Sequence, residues 1–90
     1  MIIQAVDEKN KLIGFARILS DNQFHTVLAE IVVHPDYQGK NIGNKIIKTV
    51  KEEYSHTPIY LDALPENKEF FSKQGFIHRK RMKVFSISAK

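Results

Sequence analysis

The sequence predicts a small α+β (α/β) domain on one mixed sheet, with elements in the order β-β-β-α-β-α-β. Three observations carry this. Short apolar runs separated by polar turns fill residues 1–34. Apolar residues at helical spacing replace them from about residue 41. The chain has 90 residues, which suits one domain and not two.

The elements follow in order. Residues 2–6 form a short apolar run, and Asp7-Glu8-Lys9-Asn10 is a polar turn. Residues 12–19 form a second run, closed by Ser20-Asp21-Asn22-Gln23. Residues 26–33 form a third run with one charge, Glu30. Turns this short predict an antiparallel meander. The later runs are apolar on both alternating faces, which predicts a sheet covered on both sides. Pro35 cannot donate to a ladder and ends the third strand. Ile42, Ile46, Ile47, Val50 and Tyr54 recur at helical spacing with Lys45, Lys48 and Lys51 opposite, predicting a helix over 41–54. Ile59-Tyr60-Leu61 is a short strand. The intervening helix is a crossover, so this strand runs parallel to the third. Pro65 and Glu66 open a second helix, 66–74, which Gly75 caps. Residues 76–87, with Val84, Phe85 and Ile87, read as a final strand or tight strand pair.

Composition narrows the function. Apolar residues make up 42% and charged residues 27%, a globular balance. A core of this size supports no deep cavity walled on every side. The absence of cysteine excludes disulfides, thiolate metal sites and a cysteine nucleophile. His25, His34, His56 and His78 lack ligand-like spacing, so no metal is expected. The longest apolar run, residues 12–16, falls far short of the ~20 residues of a membrane span. Ile2-Ile3 follows Met1 with no basic stretch before it, against a signal peptide. A soluble cytoplasmic protein that keeps no membrane partner is the expectation.

The net charge of +4 is unevenly placed. Lys40, Lys45, Lys48 and Lys51 lie in a stretch without acids, and Arg79-Lys80-Arg81 with Lys83 forms a second cluster. Such clusters suit a nucleic acid or a phosphorylated cofactor; a solvated surface is the plain alternative. The first cluster follows a strand, a glycine-bearing turn and a helix start. A helix N-terminus leaves N–H groups unpaired and carries partial positive charge, so a diphosphate fits there. The spacing is neither G-x-x-x-x-G-K-[ST] nor G-x-G-x-x-G.

Gln38-Gly39-Lys40-Asn41-Ile42-Gly43 instead resembles Q/R-x-x-G-x-G/A, the pyrophosphate loop of the GNAT superfamily of acyl-CoA-dependent N-acyltransferases. Gly14-Phe15-Ala16-Arg17 with Ser20-Asp21 resembles the strand and turn before that family's central strand. Residues 29–35 resemble the central strand itself, and Phe70-Phe71-Ser72-Lys73-Gln74-Gly75-Phe76 the end of its last helix. The resemblance spans about residues 12–76. Three departures stand out. Asn41 replaces a loop glycine, and asparagine is the side chain best suited to αL. Phe71 stands where members often carry a tyrosine that protonates the departing thiolate. The chain begins at about the family's second strand, so residues 1–90 read as a minimal single domain without the N-terminal strand and helices that build much of the acceptor pocket. Met1 favours a minimal member, and a homodimer would replace the absent wall.

The resemblance implies an N-acetyltransferase. Acetyl-CoA is the co-substrate, and an amine acceptor, small molecule or peptide, attacks the thioester directly. The parallel pair splays around the CoA, with helices on the sheet faces. Gln38, Gly39, Lys40, Asn41, Ile42, Gly43 and Asn44 then bind the diphosphate. Ile31, Val32 and Val33 offer backbone groups to the pantetheine arm, with Val32 or Val33 polarising the carbonyl. Asn67 and Phe71 complete the cofactor-binding set. Glu30, a charge in an apolar strand, is the candidate base or else an ion-pair partner of Arg17. Tyr60 is a second catalytic candidate. A non-catalytic CoA-binding or interaction module is the alternative reading, and a basic nucleic-acid module a third.

Overall fold

A computed structural model describes residues 1–89. The three-strand meander forms as expected: β1 (Ile2–Val6), β2 (Leu12–Ser20) and β3 (Thr26–Val33). The amphipathic helix α1 (Ile42–Glu53) carries the chain over the sheet to β4 (Ile59–Tyr60), which lies parallel to β3. The sheet order is β1-β2-β3-β4, with both meander pairs antiparallel. A 3-10 turn, Pro65–Asn67, leads into the short helix α2 (Lys68–Lys73). Four mixed strands and two helices make the expected α+β class.

The core lies between α1 and one sheet face. Ala16, Ile18 and Leu28 meet Ile46, Ile47, Val50 and Tyr54 there. Gly14 lets the helix approach: an added Cβ would sit 3.0 Å from the Val32 oxygen and 3.1 Å from Ile46 Cδ1. Burying the isoleucine, leucine and valine side chains among them contributes about 1.5–3 kcal/mol each. Truncating Ile47, fully buried, would cost about 2–5 kcal/mol.

The last stretch of the resemblance turns out to be a helix stop. Phe76 N–H donates to the Phe71 oxygen (3.1 Å) and Gly75 N–H to the Ser72 oxygen (3.1 Å), the paired bonds of a Schellman motif. Gly75, at φ 93°, takes the left-handed position. Phe76 packs edge-on against Phe71, ring centroids 5.9 Å apart, as the hydrophobic partner of that motif.

Two details differ from the sequence reading. Residues 76–87 form no strand. Ile77, Met82, Val84, Phe85 and Ile87 are exposed, because β-propensity acts only where a ladder and a packing surface exist. The two-residue β4 ends the sheet and offers almost no ladder. Helices also cover one sheet face, not both. Ile2, Leu19, Val27 and Val32 on the other face are exposed. Their apolar character therefore does not mark burial within the described residues. Among these residues no helix is long and apolar enough to cross a membrane.

Candidate functional site

The site begins where β3 leaves its parallel neighbour. Only Thr26↔Ile59 and Val27↔Tyr60 pair, so the edge from Leu28 onward is open. One residue later the pairing with β2 slips: Ile18 faces Leu28 but Arg17 faces Glu30, leaving Ala29 as a bulge that bends the strand. Past the bulge, alternation decides which backbone groups face the opening. His34 N–H donates to the Ile13 oxygen at 2.7 Å, toward β2. Val33 and Ile31 therefore present their N–H and C=O to the open side. Val32 points back into the ladder, which removes it as a free donor and leaves Val33.

The turn after β3 is tied down on both sides. His34 Nδ1 accepts the Asp36 N–H (3.1 Å) and caps the 3-10 turn Pro35–Tyr37. Tyr37 hydroxyl donates to Asp7 Oδ2 (3.4 Å), joining this turn to the β1–β2 turn. Loss of solvent raises the Tyr37 pKa, and the Asp7 charge adds to the rise. Asp7 itself is held below the usual carboxylate range, mainly by the Lys11 N–H, with burial opposing and the Lys9 N–H and Tyr37 hydroxyl adding. Gln38 Nε2 donates to the Val33 oxygen (3.2 Å). Lys40 Nζ lies 5.3 Å from the Tyr37 ring centroid.

Gly39 (φ 80°) and Asn41 (φ 64°) are both left-handed, and asparagine tolerates what glycine usually supplies. The first helical bond runs from Lys45 N–H to the Asn41 oxygen (3.1 Å). The N–H groups of Ile42, Gly43 and Asn44 precede it, and the Asn41 side chain does not cap them. No acid lies in this first turn. The result is a donor cluster with partial positive charge, facing the open β3 edge.

A cavity of about 530 Å³ joins these parts. Ile31, Val33, Gln38, Gly39, Asn41, Ile42, Gly43, Asn44, Asn67 and Phe71 line it, and none of its walls is acidic. Tyr37 and Phe70 also line it, although neither belongs to the cofactor-binding set that the resemblance implies. Phe70 explains a second demand on Gly43, since an added Cβ would lie 3.3 Å from its ring. The helical spacing of Phe70 from Asn67, one turn on, was the available signal. Val32 and Lys40 are not lining residues. Lys45 and Lys48 lie on the exposed helix face, and Lys51 donates to the Gln74 oxygen (2.8 Å).

The two catalytic candidates lie outside the cavity lining. Glu30 shares the open sheet face with Arg17; their contact, 3.7 Å, is loose, and the side chains are 46% and 57% exposed. The carboxylate is thus in water, not buried. Tyr60 sits beside Val27 and stacks on His25, centroids 5.1 Å apart. That is roughly 20 Å along β3 from Val33 at 3.3 Å per residue. Phe71 brings a ring and no proton donor. The second basic cluster, 79–83, is exposed and adds no residue to these walls.

The arrangement can hold an anion at the helix start and an extended amide chain along Val33 and Ile31. Known proteins resemble this chain in sequence and in fold. The model of the acetyltransferase (GNAT) domain family matches residues 2–86. An uncharacterised N-acetyltransferase of Pyropia yezoensis is 38% identical over 79 residues, covering 84% of this chain and 45% of that protein. A histone acetyltransferase of Glycine max is 31% identical over 75 residues, covering 78% of this chain and 32% of that protein. The chain thus spans less than half the length of these curated relatives. Among solved structures, a GNAT-family acetyltransferase of Streptococcus pneumoniae superposes with a TM-score of 0.85 at 20% identity, covering 99% of this chain and 71% of its own. Glucosamine-6-phosphate N-acetyltransferase of Arabidopsis thaliana gives 0.79 at 20% identity, with 99% and 65% covered. These solved structures share the fold, and the match over residues 2–86 assigns the chain to the GNAT acetyltransferase family.

Proposed function

We propose that this chain binds acetyl-CoA and transfers its acetyl group to an amine. One observation carries the reading: an open strand edge at Val33 runs directly into an uncapped, acid-free helix N-terminus. That combination fits a pantetheine amide chain ending in a diphosphate. Acetyl-CoA supplies an activated thioester when bound. The N–H groups of Ile42, Gly43 and Asn44 hold the diphosphate, and Gly43 leaves room for its oxygens. Val33 N–H is the donor available to polarise the acyl carbonyl, acting in fixed geometry. The acceptor is an amine, either a small molecule or a peptide, and it reaches the carbonyl from the uncovered sheet face. Its ammonium proton passes to Glu30 through water, the amine nitrogen attacks, the carbon–sulfur bond breaks, and the second nitrogen proton leaves to solvent, which also protonates the thiolate. A thiol of pKa about 8.5 leaves readily as thiolate near neutral pH, so Phe71 need not be an acid. Tyr60, on β4 beside Val27, stands too far from Val33 for that role.

The test measures melting temperature with acetyl-CoA, CoA and a duplex oligonucleotide, then thiol release with a panel of amines. Ligand at about 10-fold over Kd adds about 1.4 kcal/mol, roughly 6–11 °C for a domain of this size. Both CoA species are expected to raise the melting temperature, and acetyl-CoA to be consumed with some amine. Glu30→Gln is expected to lower kcat/KM near neutral pH and leave CoA affinity unchanged. No shift at millimolar CoA sinks the reading. A shift without turnover across the panel leaves a CoA-binding module, and a shift with the oligonucleotide alone points to nucleic acid.

A further inference from the structure

Asn41 is out of character at its position. Asparagine at an N-cap ordinarily takes extended backbone angles and accepts a hydrogen bond from the second or third N–H of its own helix. Here it is left-handed, at φ 64° and ψ 17°, and makes no capping bond. Its Oδ1 is occupied elsewhere, accepting from Asn44 Nδ2 at 3.0 Å. Asn44 Oδ1 in turn accepts from Gln74 Nε2 at 2.6 Å. Three amides therefore run from the end of α2 to the start of α1.

The far end of this relay is anchored. Gln74 is half-buried and is the C-cap of α2, set by the Schellman bonds around Gly75. Its backbone oxygen accepts from Lys51 Nζ at 2.8 Å. Asn44 and Lys51 lie two turns apart on one face of α1, so that face grips Gln74 by side chain and by backbone.

We propose that the Gln74–Asn44–Asn41 relay is a positioning device that keeps the helix N-terminus uncapped and open to the diphosphate. The proposal rests on the reading of the cavity as a CoA site. Without the relay, Asn41 loses the partner that offsets its left-handed backbone. It relaxes to the ordinary N-cap conformation, and its side chain takes the N–H groups of Gly43 or Asn44. The chain's own amide then competes with the ligand. A glycine at position 41 has no side chain to compete and needs no such restraint.

This predicts an unusual sign. Removing a structural contact normally lowers stability and affinity together. Cutting the relay instead releases a helix cap, so affinity falls while the free protein holds or gains stability. Gln74→Ala is expected to raise the CoA Kd on the order of 5-fold, the worth of one cap bond, with the ligand-free melting temperature unchanged or higher. Asn44→Ala cuts the relay at its middle and is expected to do the same. In an Asn41→Gly background, adding Gln74→Ala is expected to change Kd by less than about 2-fold, because the competing side chain is gone.

The measurements are calorimetric titration with CoA and thermal unfolding without ligand. A joint fall of affinity and melting temperature in both single variants overturns the proposal in favour of a plain structural role. A 5-fold effect of Gln74→Ala that persists beside Asn41→Gly also overturns it. CoA binding by the unaltered chain that ignores Gln74 overturns the relay alone. No binding by the unaltered chain overturns the site reading and the relay with it.

Discussion

The two ends of β3 are built on opposite principles. At the Thr26 end, the strand is closed by a buried hydroxyl chain. Asn22 N–H donates to Ser20 Oγ (2.9 Å), Ser20 meets Thr26 Oγ1 (2.8 Å), Thr26 meets Thr57 Oγ1 (2.6 Å), and Thr57 donates to the Tyr54 oxygen (3.4 Å). With Thr57 and Asn22 as donors at the two ends, each hydroxyl in between can give one bond and receive one. Thr26 N–H also reaches the Pro58 oxygen (3.1 Å), locking β3 to the start of β4. At the Val33 end, the same strand has no parallel neighbour and faces a cavity of about 530 Å³. At the closed end, as elsewhere among the described residues, no buried side-chain nitrogen or oxygen lacks a partner. The open end leaves donors free. A sheet that must hold a ligand between two parallel strands needs both: a fixed pivot and a gap that does not zip shut.

The sharpest way to break this contrast is at the open end. Gly43→Val puts a β-branched side chain where the first-turn N–H groups face the cavity, with its Cβ 3.3 Å from the Phe70 ring. CoA affinity is expected to fall at least about 100-fold, or about 2.7 kcal/mol. Stability is expected to change by less than about 1 kcal/mol, because valine's helix propensity slightly exceeds glycine's and offsets the shift asked of the partly buried ring. Titration calorimetry and chemical unfolding separate the two. Retained affinity would contradict an anion site at this turn.

Thr26→Val makes the reciprocal change at the closed end. Valine keeps the shape and removes the hydroxyl, so Ser20 loses an acceptor and Thr57 a donor. Thr26 is fully buried, and the expected loss is about 1–3 kcal/mol. That corresponds to roughly 5–15 °C in melting temperature. CoA affinity of the folded protein is expected to change less than 2-fold. A large affinity loss with unchanged stability would reverse the roles assigned to the two ends.

The sequence made this division only half legible. Strand and helix boundaries followed from periodicity, and the third strand, 26–33, was legible to the residue. Its length hid the bulge at Ala29, because an alternating pattern with one slip reads the same as a uniformly apolar run. The slip nevertheless decides that Val33 and Ile31, not Val32, face the opening. The left-handed turns at Gly39 and Asn41 were legible because backbone geometry leaves a trace in glycine and asparagine. Glu30 and Tyr60 were not placed by the same logic. A strand residue's face depends on register, and neither one lines the cavity. Residues 76–87 carried the composition of a strand without the partner that makes one. The exposed apolar face of the sheet shows the same limit: hydrophobic pattern reports what prefers burial, not what covers it.

The smallest expected effect lies in the turn that feeds the closed end. Asp21 Oδ1 accepts the N–H groups of Gln23 (2.9 Å), Phe24 (2.8 Å) and His25 (3.1 Å). These donors, Gln23 first, favour the ionised form and lower the carboxyl from 3.8 to about 2. The sign follows from linkage. A folded pKa below the unfolded one contributes stability that is fully present above 3.8 and is lost as pH falls toward 2. Asp21→Asn keeps an acceptor oxygen and removes the charge. Its melting temperature is expected to lie a few degrees below that of the unaltered chain at pH 7, and the two values should converge between pH 4 and 2. The Asp7 carboxyl is lowered too, chiefly by the Lys11 N–H, but it is common to both proteins, so the difference isolates Asp21. The effect stays small because the group is exposed and its field is screened. CoA affinity at neutral pH should not respond, since Asp21 touches only the pivot. Parallel melting curves down to pH 2 would show that the three N–H bonds shape the turn without drawing on the charge. The closed end would then depend on its buried hydroxyls alone.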